Sequence, residues 1–496
     1  MAINSIGYGA SVLGRATRNI SDQLTTLSSQ LASGKKATTY AGMGVNEGFA
    51  VAARAQLSNI SAFTDTMAKI NTTIAATNTA LQSMADIGRQ VQSAASNSSQ
   101  VTNSNGQTAG QQNAAGQLAS MLGILNTQSG DRYLFSGNAI DKPSVADADL
   151  LLDGTGAQAG LKQLVAERRQ ADLGGSGLGR VVISQPTSTS VSIAEDAANS
   201  PFGLKLNAIS SSLTGASVTG PAGTPPAVSI GLAGNPNNGD QINFTFNLPD
   251  GTTESVRLTA SSATPAPSGS FAIGATPAAT AANLNAALTA SVGKLAKTSL
   301  VAASALAAGN DFFGQPPKRV GTTPLGSATA LVLGTAANTV SWYTGQTGAA
   351  SARVSSTARV DQSVTVQYGA RADETAIRSQ LQSIAVYATV TTSTSDPNAA
   401  AQIAALSARV TQNLNVQPGQ QTIQDIQSDF SVAQDTMKNA TARQKQTQST
   451  LQIMVDQAEN ISPEQVASQI LALQTSLQAS YQTTAMLAQL SLTKFL

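Results

Sequence analysis

Two carboxylates close in sequence, Glu167 and Asp172, are the nearest thing in this chain to an acid–base pair. Such a pair cleaves glycosidic bonds only when a cleft holds the two groups at a set separation, and no neighbouring residues suggest one. Asp147, Asp149 and Asp153-Gly154 invite a calcium loop. Leu151 occupies a position that needs an oxygen ligand, the glycine falls late, and no Glu closes the loop, so a solvated loop is expected. Gly174-Gly175-Ser176-Gly177-Leu178-Gly179 has the composition of a phosphate cradle. Its spacing is not that of G-x-G-x-x-G, and a strand rather than a helix follows it, so it reads as a plain loop. Arg168-Arg169 and Lys318-Arg319 are isolated basic pairs, expected to be solvated rather than bound to nucleic acid. The chain has no His and no Cys. That excludes thiol nucleophiles, His-based triads and most zinc sites. The expectation is a protein that is not an enzyme and needs no cofactor or metal.

Composition points the same way. Only 11% of the 496 residues are charged, against about 25% in an ordinary soluble protein. The formal net charge is +1, so no global field suggests a nucleic-acid partner. Ser, Thr, Asn and Gln supply the polarity. No stretch approaches the ~18 consecutive apolar residues of a membrane span. The first twenty residues lack a cationic start and a continuous apolar core. Export, if it occurs, is expected without a cleaved signal peptide.

The elements that would position any site are therefore the informative part. Leu13, Thr17, Ile20, Leu24, Leu27 and Leu31 repeat at spacings of 4 and 3, and so do Val466, Ile470, Leu473 and Leu477. Each set draws a narrow apolar seam along one helix face, as in a coiled coil. Such helices need partners, and these two lie at opposite ends of the chain. They can meet each other in a monomer or meet copies from neighbouring molecules. Gly34 stands where a helix C-cap wants positive φ, with Lys35 and Lys36 beside it. A long helix is predicted from about Val45 to Ala95, with the seam Ile70, Ile74, Thr77, Leu81, Met84, Gly88, Val91. Another carries Leu118, Met121, Leu122 and Leu125. In the C-terminal third, Ile377, Leu381 and Ile384 mark one helix, and Ile403, Leu406 and Val410 a second. The register from Ile423 through Met437 to Ala458 marks a third, with Gln444 and Thr447 as polar exceptions. Ser462, Pro463 and Gln465 read as the capped start of the last helix, with Ile461 and Val466 as its hydrophobic staple.

The middle differs. Arg180–Ser184, Val191–Ile193 and Val228–Ile230 read as strands. Ile242–Phe246 and Ser255–Leu258, joined through Pro249-Asp250-Gly251, read as a hairpin. Thr276-Pro277 opens a helix containing Leu284 and Leu288. The fold class is thus α+β: long terminal helices forming a coiled-coil or helical bundle, with an inserted β-rich region. The expected organisation is an N-terminal assembly segment (1–42), two halves of a helical rod (43–140 and 366–460), and a C-terminal assembly helix (461–496). Between the rod halves lies an outer β-rich or α+β region (141–365), with a sub-module near 226–315.

Several segments resemble bacterial flagellins. "ISDQLTTLSSQLASGKK" (Ile20 to Lys36) is similar to the flagellin opening, and "LQASYQTTAMLAQLSLTKFL" (Leu477 to Leu496) to the flagellin ending. Three inner segments are similar to the hook–filament junction branch of that family: "GDRYLFSGN" (Gly130 to Asn138), "SWYTG" (Ser341 to Gly345) and "VQYGARADETAIR" (Val366 to Arg378). The resemblance covers about residues 1–140 and 340–496. It implies a flagellin-like structural subunit of the extracellular flagellum, exported unfolded through the flagellar type III apparatus. Its implied role is the hook–filament junction, with filament flagellin as the alternative and a secreted surface adhesin as a more distant one. Implied partners are further copies in a ring or filament, other axial proteins (junction proteins and filament flagellin) and an export chaperone, with no nucleic acid and no membrane. The implied assembly residues are Leu13, Ile20, Leu24, Leu27, Leu31, Val466, Ile470, Leu473 and Leu477, with Leu487 and Leu490 farther along. With the family endings considered, packing between molecules is the expectation for the terminal seams. The central region departs from the family by its size and its β-rich insert.

Overall fold

Uninterrupted 3–4 apolar registers should give long helices, and the longest elements lie where those registers lie. The computed structural model describes residues 3–97, 99–321 and 324–492. Its helices are α1 (Ile3–Ser33), α2 (Glu47–Ser96), α3 (Ala109–Leu125), α4 (Ala148–Asp153), α5 (Leu161–Leu173) and α6 (Pro277–Leu295). They continue as α7 (Val301–Phe312), α8 (Thr375–Thr389), α9 (Ala399–Leu414), α10 (Ile423–Glu459) and α11 (Pro463–Leu492). At ~1.5 Å per residue α10 spans about 55 Å. The strands are β1 (Gln128–Ser129), β2 (Arg132–Tyr133), β3 (Val181–Ser184), β4 (Ser190–Glu195), β5 (Lys205–Ser211), β6 (Ala216–Ala222) and β7 (Ala227–Leu232). They continue as β8 (Gln241–Asn247), β9 (Thr253–Ser261), β10 (Ser270–Ala272), β11 (Lys318–Val320), β12 (Leu331–Leu333), β13 (Thr357–Arg359) and β14 (Thr365–Gln367). The protein is a mixed α+β chain of long helices and several small sheets.

Contacts divide it into two units. The helical unit comprises Met1–Asn71, Ala358–Val366 and Ala433–Leu496; the sheet-bearing unit comprises Thr72–Thr357 and Gln367–Val432. In the helical unit, α2 and α10 bury Ala53, Ile60, Leu451 and Val455 together, with Leu57 packed against them. The polar exception Gln444 is buried for a reason the register could not supply. Its side-chain amide donates to the Val360 carbonyl at 2.7 Å, capturing the short segment that crosses the helices. Thr447, the other exception, is exposed and bonds back to Arg443 of its own helix.

The sheet-bearing unit holds two four-stranded sheets, ordered β3-β4-β7-β6 and β10-β9-β8-β5. Pairing is antiparallel apart from β10 on β9. Alternation along β8 points Ile242, Phe244 and Phe246 inward. They share one core with Val191, Ile193, Val228 and Ile230 of the other sheet and with Leu284 and Leu288 of α6. The β8–β9 hairpin turns at Gly251, whose φ of +84° suits the expected Pro-Asp-Gly turn. Arg409 of α9 pairs with Asp250 in that turn at 2.9 Å and with Glu254 at 3.2 Å. In α2, Gly88 leaves room for the end of the Gln380 side chain, whose amide donates to the Met84 carbonyl; a Cβ there would lie 2.6 Å from that amide.

The three inner segments that carry the junction-branch resemblance converge in this unit. Ala372 N donates to Phe135 O at 2.8 Å, Gln346 N to Ser136 O at 2.9 Å, and Ala146 N to Trp342 O at 2.9 Å. Trp342 is buried and donates its indole N–H to Phe313 O at 3.1 Å. Arg371 binds the Gly348 and Ala350 carbonyls and Asp373. Arg353 pairs with Glu374 and stacks 4.4 Å over Phe430.

In the middle region α6 is the helix expected at Thr276-Pro277, while α4, α5 and α7 are helices that no sequence pattern marked. The basic pairs also need correction, because two of their four members are structural. Arg168 is buried, with Nε 2.9 Å from Asp172, Nη1 2.7 Å from Asp311, Nη2 donating to Pro201 O at 3.0 Å, and Phe202 beneath it. Arg319 pairs with Glu167. A guanidinium can go inside when carboxylates and carbonyls use its fork of donors. The acidic residues near 150 also have local uses. Asp147 caps α4 through Leu150 N at 2.8 Å, and Asp153 pairs with Lys162 at 2.6 Å. The glycine loop turns into β3, as expected, with Gly174, Gly177 and Gly179 all at positive φ.

Arg168→Met should cost about 3–5 kcal/mol, because it strands the buried Asp172 and the part-buried Asp311. Urea unfolding of the single variant against Arg168→Met/Asp172→Asn should show the second change recovering part of the loss. A cost below about 0.5 kcal/mol would mean that the node is not structural.

Candidate assembly interface

A helix with a narrow apolar seam hides it most simply against another such helix. α1 and α11 pack against each other. They run antiparallel: Lys35, just past α1, bridges to Asn460, just before α11. Farther along, Leu27 and Leu473 line one shallow groove of about 590 Å³ with Asp22, Thr26, Gln30 and Gln469. The two terminal seams therefore meet within a single chain.

Coverage is partial. Leu13, Thr17, Ile20, Leu24 and Leu27 are half-buried, as are Ile470, Leu473 and Leu477. Only Val466 is buried, and Leu31 is 40% exposed. Off the seams, Leu471, Tyr481 and Met486 are more than half exposed, and Val12 is nearly so. The side chains of Leu487 and Leu490 lie outside the described residues. Hydroxyls along α1 need no external partner: Thr17, Thr25 and Thr26 each bond back to the carbonyl four residues earlier at 2.9 Å.

The pair joins the rest of its unit through one compact polar joint. Gly34, at φ +71°, ends α1 as the sequence suggests, its N–H on Gln30 O at 2.8 Å. Lys36 N then donates to Glu459 O at 2.7 Å, and Ile461 N to Gly34 O at 3.1 Å. The Lys36 ammonium reaches Gln457 O. Beside this ladder, Arg54 of α2 grips Glu459 at the end of α10 with two hydrogen bonds of 2.6 and 2.5 Å. The Glu459 side chain is 5% exposed and that of Arg54 is 48% exposed. The hydrogen bonds and charge of Arg54, aided by Lys35, hold the Glu459 carboxyl below its usual range, and Glu459 in turn raises Arg54. Sequence reasoning missed this pair, because its members are 405 residues apart and neither sits in a motif. The start of α11 is also simpler than a capping box. Ser462 Oγ accepts from Gln465 N at 3.5 Å and donates to Glu464 at 2.9 Å, so Glu464 rather than Gln465 supplies the returning side chain.

Among the described residues no helix is long and apolar enough to cross a membrane. No family model matches the chain, and no curated protein matches it.

Glu459→Gln should lower stability at neutral pH by about 1 kcal/mol, the scale of a half-exposed ion pair. The pH dependence has a definite sign. With its folded-state value below the unfolded value of about 4.3, Glu459 stabilises fully above that pH and loses the contribution as pH falls through the lower value. Denaturant melts between about pH 5 and 3 should show a shallower acid loss for the variant. An identical slope would remove Glu459 from the acid response.

Proposed function

We propose that this chain is a structural, non-catalytic subunit of the bacterial flagellum, a flagellin-like axial protein at the hook–filament junction. The observation that carries the reading is the pairing of the two chain ends. Seams from opposite termini meet in one antiparallel helix pair whose outer faces still expose Val12, Leu471, Tyr481 and Met486. A two-helix layer with apolar residues on both sides suits a wall built from many copies, each covering its neighbour's outer face. The resemblance of Ile20 to Lys36 and Leu477 to Leu496 to flagellin ends supports the same reading. The convergence of the three junction-type segments around Trp342 and Arg371 supports the junction branch.

On this reading the mechanism is coupled folding and assembly. The terminal helices gain enough apolar contact only among other subunits, and a chain whose ends order late can pass a narrow export channel. The seam residues Leu13, Ile20, Leu24, Leu27, Leu31, Val466, Ile470, Leu473 and Leu477, with Leu487 and Leu490, form the assembly core. The partners are further copies, other axial proteins and an export chaperone, and the location is extracellular.

Two experiments test this. Deleting the gene should leave hooks without filaments in electron micrographs, with intact filament protein shed into the medium. Loss of filaments without shed subunit would make the chain the filament flagellin, and normal flagella would overturn the proposal. Leu473→Asp should abolish incorporation while the sheet-bearing unit keeps its unfolding transition. Normal incorporation of that variant would show that the seam is not an assembly element.

A further inference from the structure

We propose that a basic cleft in the sheet-bearing unit binds an organic anion carrying a phosphate, sulfate or carboxylate group. The cleft has a volume of about 910 Å³. One stripe of α5 lines it, since Lys162, Val165, Arg169 and Leu173 recur at helical spacing, and Lys297 from the π-turn Ala296–Leu300 joins them. The lining contains three cations and no carboxylate. In a chain with 28 basic and 27 acidic residues, that local excess is a departure from the mean.

Two of the three charges, those of Arg169 and Lys297, are also unused. Arg168, next in sequence, is saturated by carboxylates, and the buried Arg180, Arg353, Arg371 and Arg409 are all ion-paired. Arg169 is half-buried, and Lys297 is exposed. Neither makes a side-chain hydrogen bond or ion pair among the described residues. The acidic groups nearby lie outside the lining, and one of them engages a lining cation. Asp153 holds Lys162 at 2.6 Å. Asp396, whose charge reaches Arg169, accepts hydrogen bonds from Asn398 and Gln402.

The glycine loop supplies the third component. Gly174 and Gly177, at φ +67° and +71°, fold the chain back at the end of α5. Between them the N–H groups of Gly175 and Ser176 have no acceptor among the described residues, and both residues are exposed. Consecutive free N–H groups in such a turn are donors suited to an anion. The loop lacks the spacing of a nucleotide motif, so the site depends on local charge and not on a helix N-terminus. Val165, Leu173 and Val301 add apolar lining, which suits an uncharged body attached to the anionic group.

Isothermal titration of the full chain at low ionic strength tests the site with phenyl phosphate, phenyl sulfate and benzoate. These probes share one apolar body and differ in the anionic group. At least one should bind saturably at a single site, more weakly as salt is added. Arg169→Gln with Lys297→Gln should weaken that binding at least about ten-fold. Lys438→Gln, on α10, should leave it unchanged, with circular dichroism reporting that each variant is folded. Saturable binding of none of the three probes, or wild-type affinity in the folded double variant, would overturn the proposal.

Discussion

Two helices lying side by side can cover only one stripe of each other. That limit governs the terminal helix pair of this molecule. α1 and α11 satisfy their backbone internally and turn their seams together, yet the seam leucines remain half-buried and further apolar residues face outward. The sheet-bearing unit shows what an unrestricted core achieves with the same chain. There Phe244, Phe246, Phe271 and Leu288 lose all or nearly all contact with solvent between two sheets and a helix. The contrast lies in geometry more than composition, because that core is enclosed by two sheets and a helix. The terminal pair has only two helices, and its seam leucines stay half-buried.

Scarce charge is the second organising fact. With 11% charged residues, the chain spends many of its arginines on internal positions rather than on its surface. Arg168 joins α5 to α7 through Asp311, and Arg409 joins α9 to a hairpin turn. Arg371 gathers a loop around two carbonyls. Each exploits a planar fork of donors that a lysine lacks. Surface polarity then falls to hydroxyls and amides, many of which are satisfied within their own helix.

Elements with one clear periodicity were legible in the sequence. α2, α8, α9 and α10 follow their apolar registers, and β4, β7 and β8 their alternation, because each buries one face and exposes the other. α7 was not legible, since its alanines are buried nearly all round and leave no polar side to mark a period. α5 was hidden differently: two of its buried positions are Arg168 and Asp172, so its inner face reads as polar. β6 is mostly exposed and carries few apolar residues to alternate. At the candidate interface the seams were legible residue by residue. Their meeting within one chain, and the Arg54–Glu459 grip that anchors them, are facts of tertiary proximity that no local pattern encodes.

Both passages of the chain into the terminal pair cross at one level, where Gly34 to Lys36 runs beside Glu459 to Ile461. A pull on α1 and α11 together is therefore shared by two covalent strands in parallel. The hydrogen bonds between the strands lie across the line of tension and carry little of it. The joint transmits load through peptide bonds, as a hinge with two pins would.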